Sequence, residues 1–176
     1  MMRLQRRLSI RLKRILAIAG LPFFLPLAGA DTLGIAAGQG NISSQGSSAL
    51  FLSYRKDAPT LFQRQSLYDL TLASWSGSRQ NNALTLAREL RWKLPQESFF
   101  AGSLGLGLVS RTTDHLGTHG QFIARLAFGR RFGQYELSIG ETHYSNGKTA
   151  LQLDWDGPSH GEDFLSLMLA RQPKAL

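Results

Sequence analysis

The feature that most constrains this chain is an alternation of apolar residues with small or polar residues, repeated over strand-length segments. Side chains at positions i and i+2 of a β-strand point to the same face of the sheet. Leu104, Leu106 and Leu108 therefore share one face, and the intervening glycines share the other. The same pattern recurs in residues 50–55, 68–73, 121–131 and 164–170. This alternation predicts an all-β fold with one apolar sheet face.

The N-terminal segment, residues 1–30, has the composition of a secretory signal peptide. Its first half carries six basic residues, residues 15–27 are mostly apolar, and Ala28-Gly29-Ala30 is a small-residue cleavage site before Asp31. The apolar run is shorter than a spanning helix requires, and it contains Pro22 and Pro26. Without these six charges the formal charge of +8 falls to +2, so the basic character of the whole chain does not predict a nucleic-acid partner.

Two architectures carry one apolar sheet face: a soluble sandwich buries that face, and an outer-membrane barrel turns it toward lipid. The predicted export, the absence of cysteine and the strand lengths favour the barrel, which closes a sheet without free edges. We therefore predict an all-β, eight-stranded antiparallel transmembrane β-barrel over residues 31–176. Its strands are expected at residues 32–39, 48–55, 65–75, 82–93, 98–110, 119–131, 134–145 and 163–171. Long connections at residues 40–47, 76–81, 111–118 and 146–162 are expected outside, with short connections at 94–97 and 132–134 on the periplasmic side.

The charged residues of the predicted strands fall mainly on the face opposite the leucines. In a small barrel this face fills the interior, where charges require partners. We expect a mutually paired network from Arg55, Asp69, Glu89, Arg91, Arg125, Arg131 and Glu136. Arg88 does not fit, because it shares the parity of Leu86 and Leu90, and an arginine on the lipid face costs about 2–4 kcal/mol at mid-membrane. A bulge, a different register or a side chain that reaches the interface would each resolve this conflict.

The segment His143-Tyr144-Ser145-Asn146 closes the seventh predicted strand and carries the candidate chemistry. His143 and Ser145 are two positions apart, so they share the face that also carries Ile139. A serine hydroxyl is a weak nucleophile until a base takes its proton. A nucleophile and a base beside an apolar surface predict ester hydrolysis on a lipid. The alternative interpretation is an ordinary polar strand end at the aqueous interface.

The base of such a site needs an orienting acid, and the last strand begins with two carboxylates, Glu162 and Asp163. In an antiparallel pair, the start of this strand lies beside the end of the previous one. Asp163 shares the lipid-facing parity of Leu165, which favours it as the partner of His143. Glu162 has the longer reach and stays open as the alternative acid. Glu141 is a third candidate, although an interface carboxylate is its simpler interpretation.

Asn146 and Gly147 follow the candidate nucleophile and could donate N–H groups to a developing oxyanion, although Asn-Gly is also a turn signal. The remaining histidines do not indicate a metal site. His115 and His119 lie in a predicted loop rich in Thr and Gly, where helical spacing has no meaning, and His160 is expected at a loop surface. No metal and no cofactor is predicted.

The stretch from Gly140 to Leu169 resembles the lipid A 3-O-deacylase (PagL) family. The resemblance is carried by two motifs separated by a loop with Gly and Pro, namely Gly140-Glu141-Thr142-His143-Tyr144-Ser145-Asn146 and Gly161-Glu162-Asp163-Phe164-Leu165-Ser166-Leu167. It implies an eight-stranded outer-membrane barrel with a Ser–His–acid triad on its lipid-facing exterior. It further implies hydrolysis of the 3-hydroxyacyl ester at position 3 of lipid A.

Residue by residue, the resemblance implies that Ser145 is the nucleophile, His143 the base and Asp163 the acid, where the family usually has Glu. Asn146 would then assist the oxyanion hole. The expected partners are lipid A or lipopolysaccharide as substrate, the other lipids of a Gram-negative outer membrane, and a second copy of the chain in a homodimer. The competing hypotheses are a non-enzymatic barrel with a structural or adhesive role, and a soluble periplasmic binding protein.

Overall fold

The structure is a computed structural model that describes residues 31–77, 80–148, 158 and 160–172. The predicted signal peptide, residues 1–30, lies outside the described residues. Eight strands occur in the described part: β1 (Thr32–Gly40), β2 (Ser48–Leu61), β3 (Arg64–Ser76), β4 (Asn81–Lys93), β5 (Ser98–Val109), β6 (Gly120–Phe132), β7 (Tyr135–Ser145) and β8 (Glu162–Arg171). Over these same residues, no helix has the length and apolar character needed to cross a membrane.

The eight strands form one closed antiparallel barrel in which each strand pairs with the next along the chain. Pairing of β1 with β8, from Leu33↔Arg171 to Gly40↔Phe164, closes the sheet. The predicted fold class is therefore confirmed. We call the end with the connections 41–47, 77–80, 110–119 and 146–161 the long-loop end, and the opposite end, with 62–63, 94–97 and 133–134, the short-turn end.

The two faces of the barrel wall differ in the way the alternation predicts. Leu104, Leu106 and Leu108 point outward and are 60–73% exposed. Between them, the inward position 105 must be glycine, because an added Cβ would lie 2.6 Å from the Cβ of Ala87 on the neighbouring strand. Small inward residues thus let the wall of a narrow barrel close around a filled interior.

The end of β2 is the one described strand boundary that differs from its prediction by more than one residue. We expected β2 to end at Arg55, where a polar segment follows, but its pairing with β3 continues through Ala58↔Ser66 to Leu61↔Arg64. The ladder is made by backbone groups, so it does not end where the apolar alternation ends. The register shifts between Ala58 and Leu61, where Pro59 lacks an N–H to donate. The hairpin turns at Phe62 and Gln63, both with positive φ.

Paired charges lie in the interior toward the short-turn end, and five of the seven residues predicted for this network form ion pairs. Glu136 is the centre of this network and accepts hydrogen bonds from Arg91 and Arg131, each at 2.8 Å. Arg55 lies 3.6 Å from both Glu89 and Glu136. Asp69 and Arg125 are also buried inside the barrel, but their hydrogen bonds are to Thr71 and Met168, and neither forms an ion pair with a described residue. Because most of these charges are removed from water, loss of one partner leaves another charge buried without compensation and destabilises the fold.

Replacement of Glu136 by alanine is expected to destabilise the barrel strongly, because it leaves buried Arg91 and Arg55 with Glu89 as their one remaining ion-pair partner among the described residues. We expect a loss of about 3–5 kcal/mol in the free energy of unfolding. Urea unfolding in lipid vesicles, followed by tryptophan fluorescence, would measure it. Asp57→Ala, at an exposed carboxylate of β2, is the matched control. A loss for Glu136→Ala no larger than that for the control would contradict the structural role of the network.

The interior toward the long-loop end is filled by aromatic rings. The ring of Trp75 lies 5.3 Å from that of Tyr144 and 5.2 Å from that of Phe164, measured between centroids. Phe51 packs edge-on against Phe164, and Leu116 from the 110–119 connection is fully buried with them. This aromatic plug anchors the end of β7 and the start of β8 from the inside.

The Arg88 side chain points outward, as its position in the alternation predicts. Neither a bulge nor a register error therefore resolves the conflict of a charge on the lipid-facing side. It pairs with Tyr68 in an uninterrupted β3–β4 register. Its guanidinium lies 4.6 Å above the Tyr68 ring and donates to the Ser66 hydroxyl and to the Pro59 carbonyl. The side chain thus reaches toward the short-turn end, where its charge meets polar partners instead of lipid.

Candidate active site

The last five residues of β7 alternate between the two faces of the wall and place three polar side chains on the outer face of the barrel. Glu141, His143 and Ser145 point outward and are partly exposed, whereas Tyr144 points inward and is 1% exposed. Because Tyr144 is held in the aromatic plug, the residues on either side of it cannot exchange faces without unpacking the interior. Interior packing therefore fixes the outward direction of the candidate base and nucleophile.

His143 and Asp163 are direct partners in the β7–β8 register. The Nδ1 atom of His143 lies 2.6 Å from Oδ1 of Asp163. The His143 side chain is 42% exposed and the Asp163 side chain 12%, so the imidazole is accessible while its carboxylate partner is largely covered. Nδ1–H donation to the carboxylate leaves Nε2 as the imidazole nitrogen free to accept a proton.

Glu162 occupies the opposite face. Its side chain points into the barrel and is 0% exposed, and Oε2 accepts a hydrogen bond from the Ser44 hydroxyl. Adjacent residues of a strand point to opposite faces, so the two neighbouring carboxylates diverge at this strand start. The structure brings Asp163, and not Glu162, to the imidazole.

The hydroxyl of Ser145 accepts a hydrogen bond from the backbone N–H of Gly147 at 3.1 Å. Within the described residues it makes no hydrogen bond to His143, the partner that sequence reasoning assigned to it. A nucleophile–base hydrogen bond is often long in a free enzyme and tightens when substrate binds. The two side chains nevertheless share one outward face of the same strand end.

Asn146 and Gly147 turn the chain away from β7. The side-chain amide of Asn146 donates to the Pro158 carbonyl at 2.5 Å, and its oxygen accepts from the Lys148 N–H at 3.1 Å. An amide carries two N–H donors, so one bond to Pro158 does not exhaust its capacity. Gly147 adopts a φ of +74°, a left-handed conformation suited to glycine. The assignment of both residues to an oxyanion hole stays a prediction.

Glu141, the third carboxylate considered, has a different partner. Its Oε1 accepts a hydrogen bond from the side-chain amide of Asn41 at 3.1 Å. Asn41 belongs to the 41–47 connection, and its backbone N–H also donates to the Asp163 carbonyl. Glu141 thus ties this connection to the barrel wall beside the site.

A second connection packs against the site through Gly161. The Gly161 N–H donates to the His115 carbonyl at 3.3 Å, and His115 Nδ1 lies 3.2 Å from the Gly161 carbonyl. Gly161 has a φ of +76°, and a Cβ there would lie 2.5 Å from Cε1 of His143. Glycine is therefore required for the backbone to pass the imidazole. Sequence reasoning missed this role of His115, since no local pattern signals a contact 46 residues away.

The surroundings of the site are apolar on the outer face. Ser145 pairs with Phe122, and Asp163 precedes Leu165 on the same face; both apolar side chains are exposed. Ile42, in the 41–47 connection, is 78% exposed. In the described part of the chain, no group of three or more His, Cys, Asp or Glu side chains is arranged to hold a metal ion. The arrangement therefore presents polar groups suited to proton transfer at the rim of a lipophilic surface.

Comparison with known proteins points to one family. Residues 48–171 match the family model described as lipid A 3-O-deacylase (PagL). A solved structure, the crystal structure of the outer membrane enzyme PagL, aligns with a TM-score of 0.62 at 19% sequence identity, over 81% of this chain and 99% of that chain. At this identity the structural likeness shows the fold alone. Among curated proteins, none matches this chain.

Proposed function

This chain belongs to the lipid A 3-O-deacylase (PagL) family, and from that membership we propose that it is a serine esterase of the outer membrane. Its substrate would be lipid A, and it would hydrolyse the ester that joins the 3-hydroxyacyl chain at position 3. The observation that carries the proposal is the 2.6 Å contact between His143 and Asp163 on the face that also presents Ser145.

The three side chains divide the reaction between them. The Ser145 hydroxyl attacks the acyl carbonyl while Nε2 of His143 takes its proton. The carbon–oxygen bond to the sugar then breaks, and the same proton passes to the departing sugar oxygen. Asp163 holds Nδ1–H, which keeps the imidazole in the tautomer that can accept at Nε2. Water activated by His143 then hydrolyses the acyl-enzyme and releases a 3-hydroxy fatty acid.

The oxyanion would be stabilised by donors that follow the nucleophile. The Gly147 N–H already points to the Ser145 hydroxyl, close to where the carbonyl oxygen of a bound ester would lie. The second amide N–H of Asn146 is the other proposed donor. Lipid around the site excludes water, which strengthens these electrostatic interactions.

Position in the membrane supports the choice of substrate. The outward leucines would contact acyl chains, and the long-loop end would face the cell exterior, as in outer-membrane barrels. His143, Ser145 and Asp163 lie near that end, on the lipid-facing side, where the acyl chains of an outer-leaflet lipid begin. Export by the signal peptide of residues 1–30 is part of this proposal, and a homodimer stays a prediction.

The proposal is tested by incubating the purified, folded protein with lipid A in detergent micelles. Mass spectrometry of the products should show one free 3-hydroxy fatty acid per lipid A and loss of an ester-linked, not an amide-linked, chain. Intact lipid A after incubation with protein whose barrel fold is verified by circular dichroism would overturn the proposal and favour a non-enzymatic barrel.

A further inference from the structure

The 41–47 connection reaches the candidate acid because of the way the barrel closes. β1 pairs with β8, and the last pair of that register is Gly40↔Phe164. The chain that continues beyond Gly40 therefore lies beside the residues that precede Phe164, namely Glu162 and Asp163. These residues are remote in sequence and become neighbours only through the closing seam.

Two consecutive serines of this connection bind the two diverging carboxylates. The Ser43 hydroxyl donates to Oδ2 of Asp163, the oxygen that His143 does not use. The Ser44 hydroxyl donates to Oε2 of Glu162 and accepts the backbone N–H of Asp163 at 2.8 Å. Ser44 thus holds the backbone at the start of β8, where the two carboxylates point to opposite faces. Ser43 holds the Asp163 carboxylate, which faces the imidazole.

We propose that Ser43 is a positioning residue, which acts on catalysis by holding the Asp163 carboxylate in line with His143; the inference rests on the proposed esterase function. An aspartate carboxylate can rotate about its terminal torsion, and one hydrogen bond at Oδ1 does not prevent this. A second donor at Oδ2 selects the rotation in which Oδ1 meets Nδ1. A second donor matters more for Asp than for Glu, because the shorter Asp side chain has less reach with which to restore the hydrogen bond to Nδ1 of His143.

The 41–47 connection is outside the family match and is held to the barrel by more than Ser43. The matched residues begin at Ser48, so the 41–47 connection lies outside them. The connection is also anchored at other points, through Asn41 to Glu141 and through the Asn41 N–H to the Asp163 carbonyl. Loss of the Ser43 hydroxyl alone should therefore leave the connection in place.

The test compares Ser43→Ala and Ser43→Thr with the wild type and with Ser48→Ala, in steady-state hydrolysis of lipid A in micelles. Ser48 is exposed, and its hydroxyl contacts Gln39 at 3.3 Å, so its loss controls for removal of a serine near the connection. Ser44 is unsuitable, because it is fully buried and its loss removes a donor from buried Glu162.

We expect Ser43→Ala to lower kcat by about 10- to 100-fold, the scale of a misplaced catalytic group, with KM changed by less than about twofold. Ser43→Thr retains a hydroxyl and should recover most of the lost kcat. Ser48→Ala should match the wild type, and all four proteins should unfold at the same urea concentration.

The outcomes separate this inference from the proposed function. Wild-type protein that releases no acyl chain would refute the esterase itself. An active wild type with Ser43→Ala equally active would refute only the role of Ser43. Three other outcomes would overturn the positioning role of Ser43. Equal impairment of Ser43→Ala and Ser43→Thr, or a lowered unfolding midpoint, would indicate a packing role. A rise in KM that accounts for the lost kcat/KM would indicate contact with the substrate.

Discussion

Replacement of Ser145 by alanine is expected to abolish ester hydrolysis and to leave the barrel folded. In serine hydrolases whose triad acts as a unit, loss of the nucleophile lowers kcat by on the order of 10⁴-fold or more. The residue lies at a strand end, is partly exposed, and its hydroxyl accepts one backbone hydrogen bond. Its truncation should therefore change the free energy of unfolding by less than about 1 kcal/mol.

Ser76→Ala is the matched control for this variant. Ser76 is also the last residue of its strand at the long-loop end, and it is exposed. Initial rates of 3-hydroxy fatty acid release from lipid A, at equal amounts of folded protein, would be compared for the two variants. Residual activity of Ser145→Ala near the level of Ser76→Ala would remove Ser145 from the mechanism.

Substitution of the two neighbouring carboxylates is expected to give very different losses of activity. Asp163→Asn replaces an acceptor of the Nδ1–H hydrogen bond by an amide, which favours the wrong imidazole tautomer. A change of this kind lowers kcat by about 10⁴-fold in a serine protease triad. Glu162→Gln keeps an oxygen that can accept from Ser44 on the inner face, so kcat should stay within about tenfold of the wild type.

The two variants should be compared in kcat and in unfolding midpoint. For Glu162→Gln, any loss should appear mainly in stability, because its side chain is fully buried inside the barrel. If Glu162→Gln lost activity and Asp163→Asn retained it, the acid would be Glu162. Such a result would require the start of β8 to turn over when substrate binds.

Much of the fold follows from side-chain parity, because a barrel strand has two faces with opposite chemistry. The alternation around Leu104 locates β5, and the same rule puts His143 and Asp163 on one outward face, where they are register partners. The end of β2 escapes this rule. Beyond Arg55 the strand leaves the apolar belt, and its backbone pairing has no signature in the side chains.

The supporting contacts of the site could not be predicted from local patterns. Ser43 and Asp163 are 120 residues apart in sequence, and they meet only because β1 pairs with β8. His115 reaches Gly161 through a connection that buries Leu116 in the aromatic plug. Periodicity locates strands and faces, but the path of a connection over the barrel mouth depends on packing that periodicity does not encode.

The interior and exterior of this barrel have separate tasks. Buried ion pairs around Glu136 and the rings around Trp75 fill the interior of the barrel. The candidate chemistry lies on the outside of that wall, where a lipid ester can approach Ser145 without entering the barrel. Exposed Phe122 and Leu165 beside the site would contact the acyl chain of such a substrate.

The most direct test of the central claim is mass spectrometry of lipid A from Gram-negative cells that express the chain, beside cells that express Ser145→Ala at the same level in the outer membrane. We predict loss of the single 3-hydroxyacyl chain at position 3 with the wild type, and unmodified lipid A with the variant. Unmodified lipid A in both, followed by failure of the purified wild type on lipid A in micelles, would contradict the deacylase assignment.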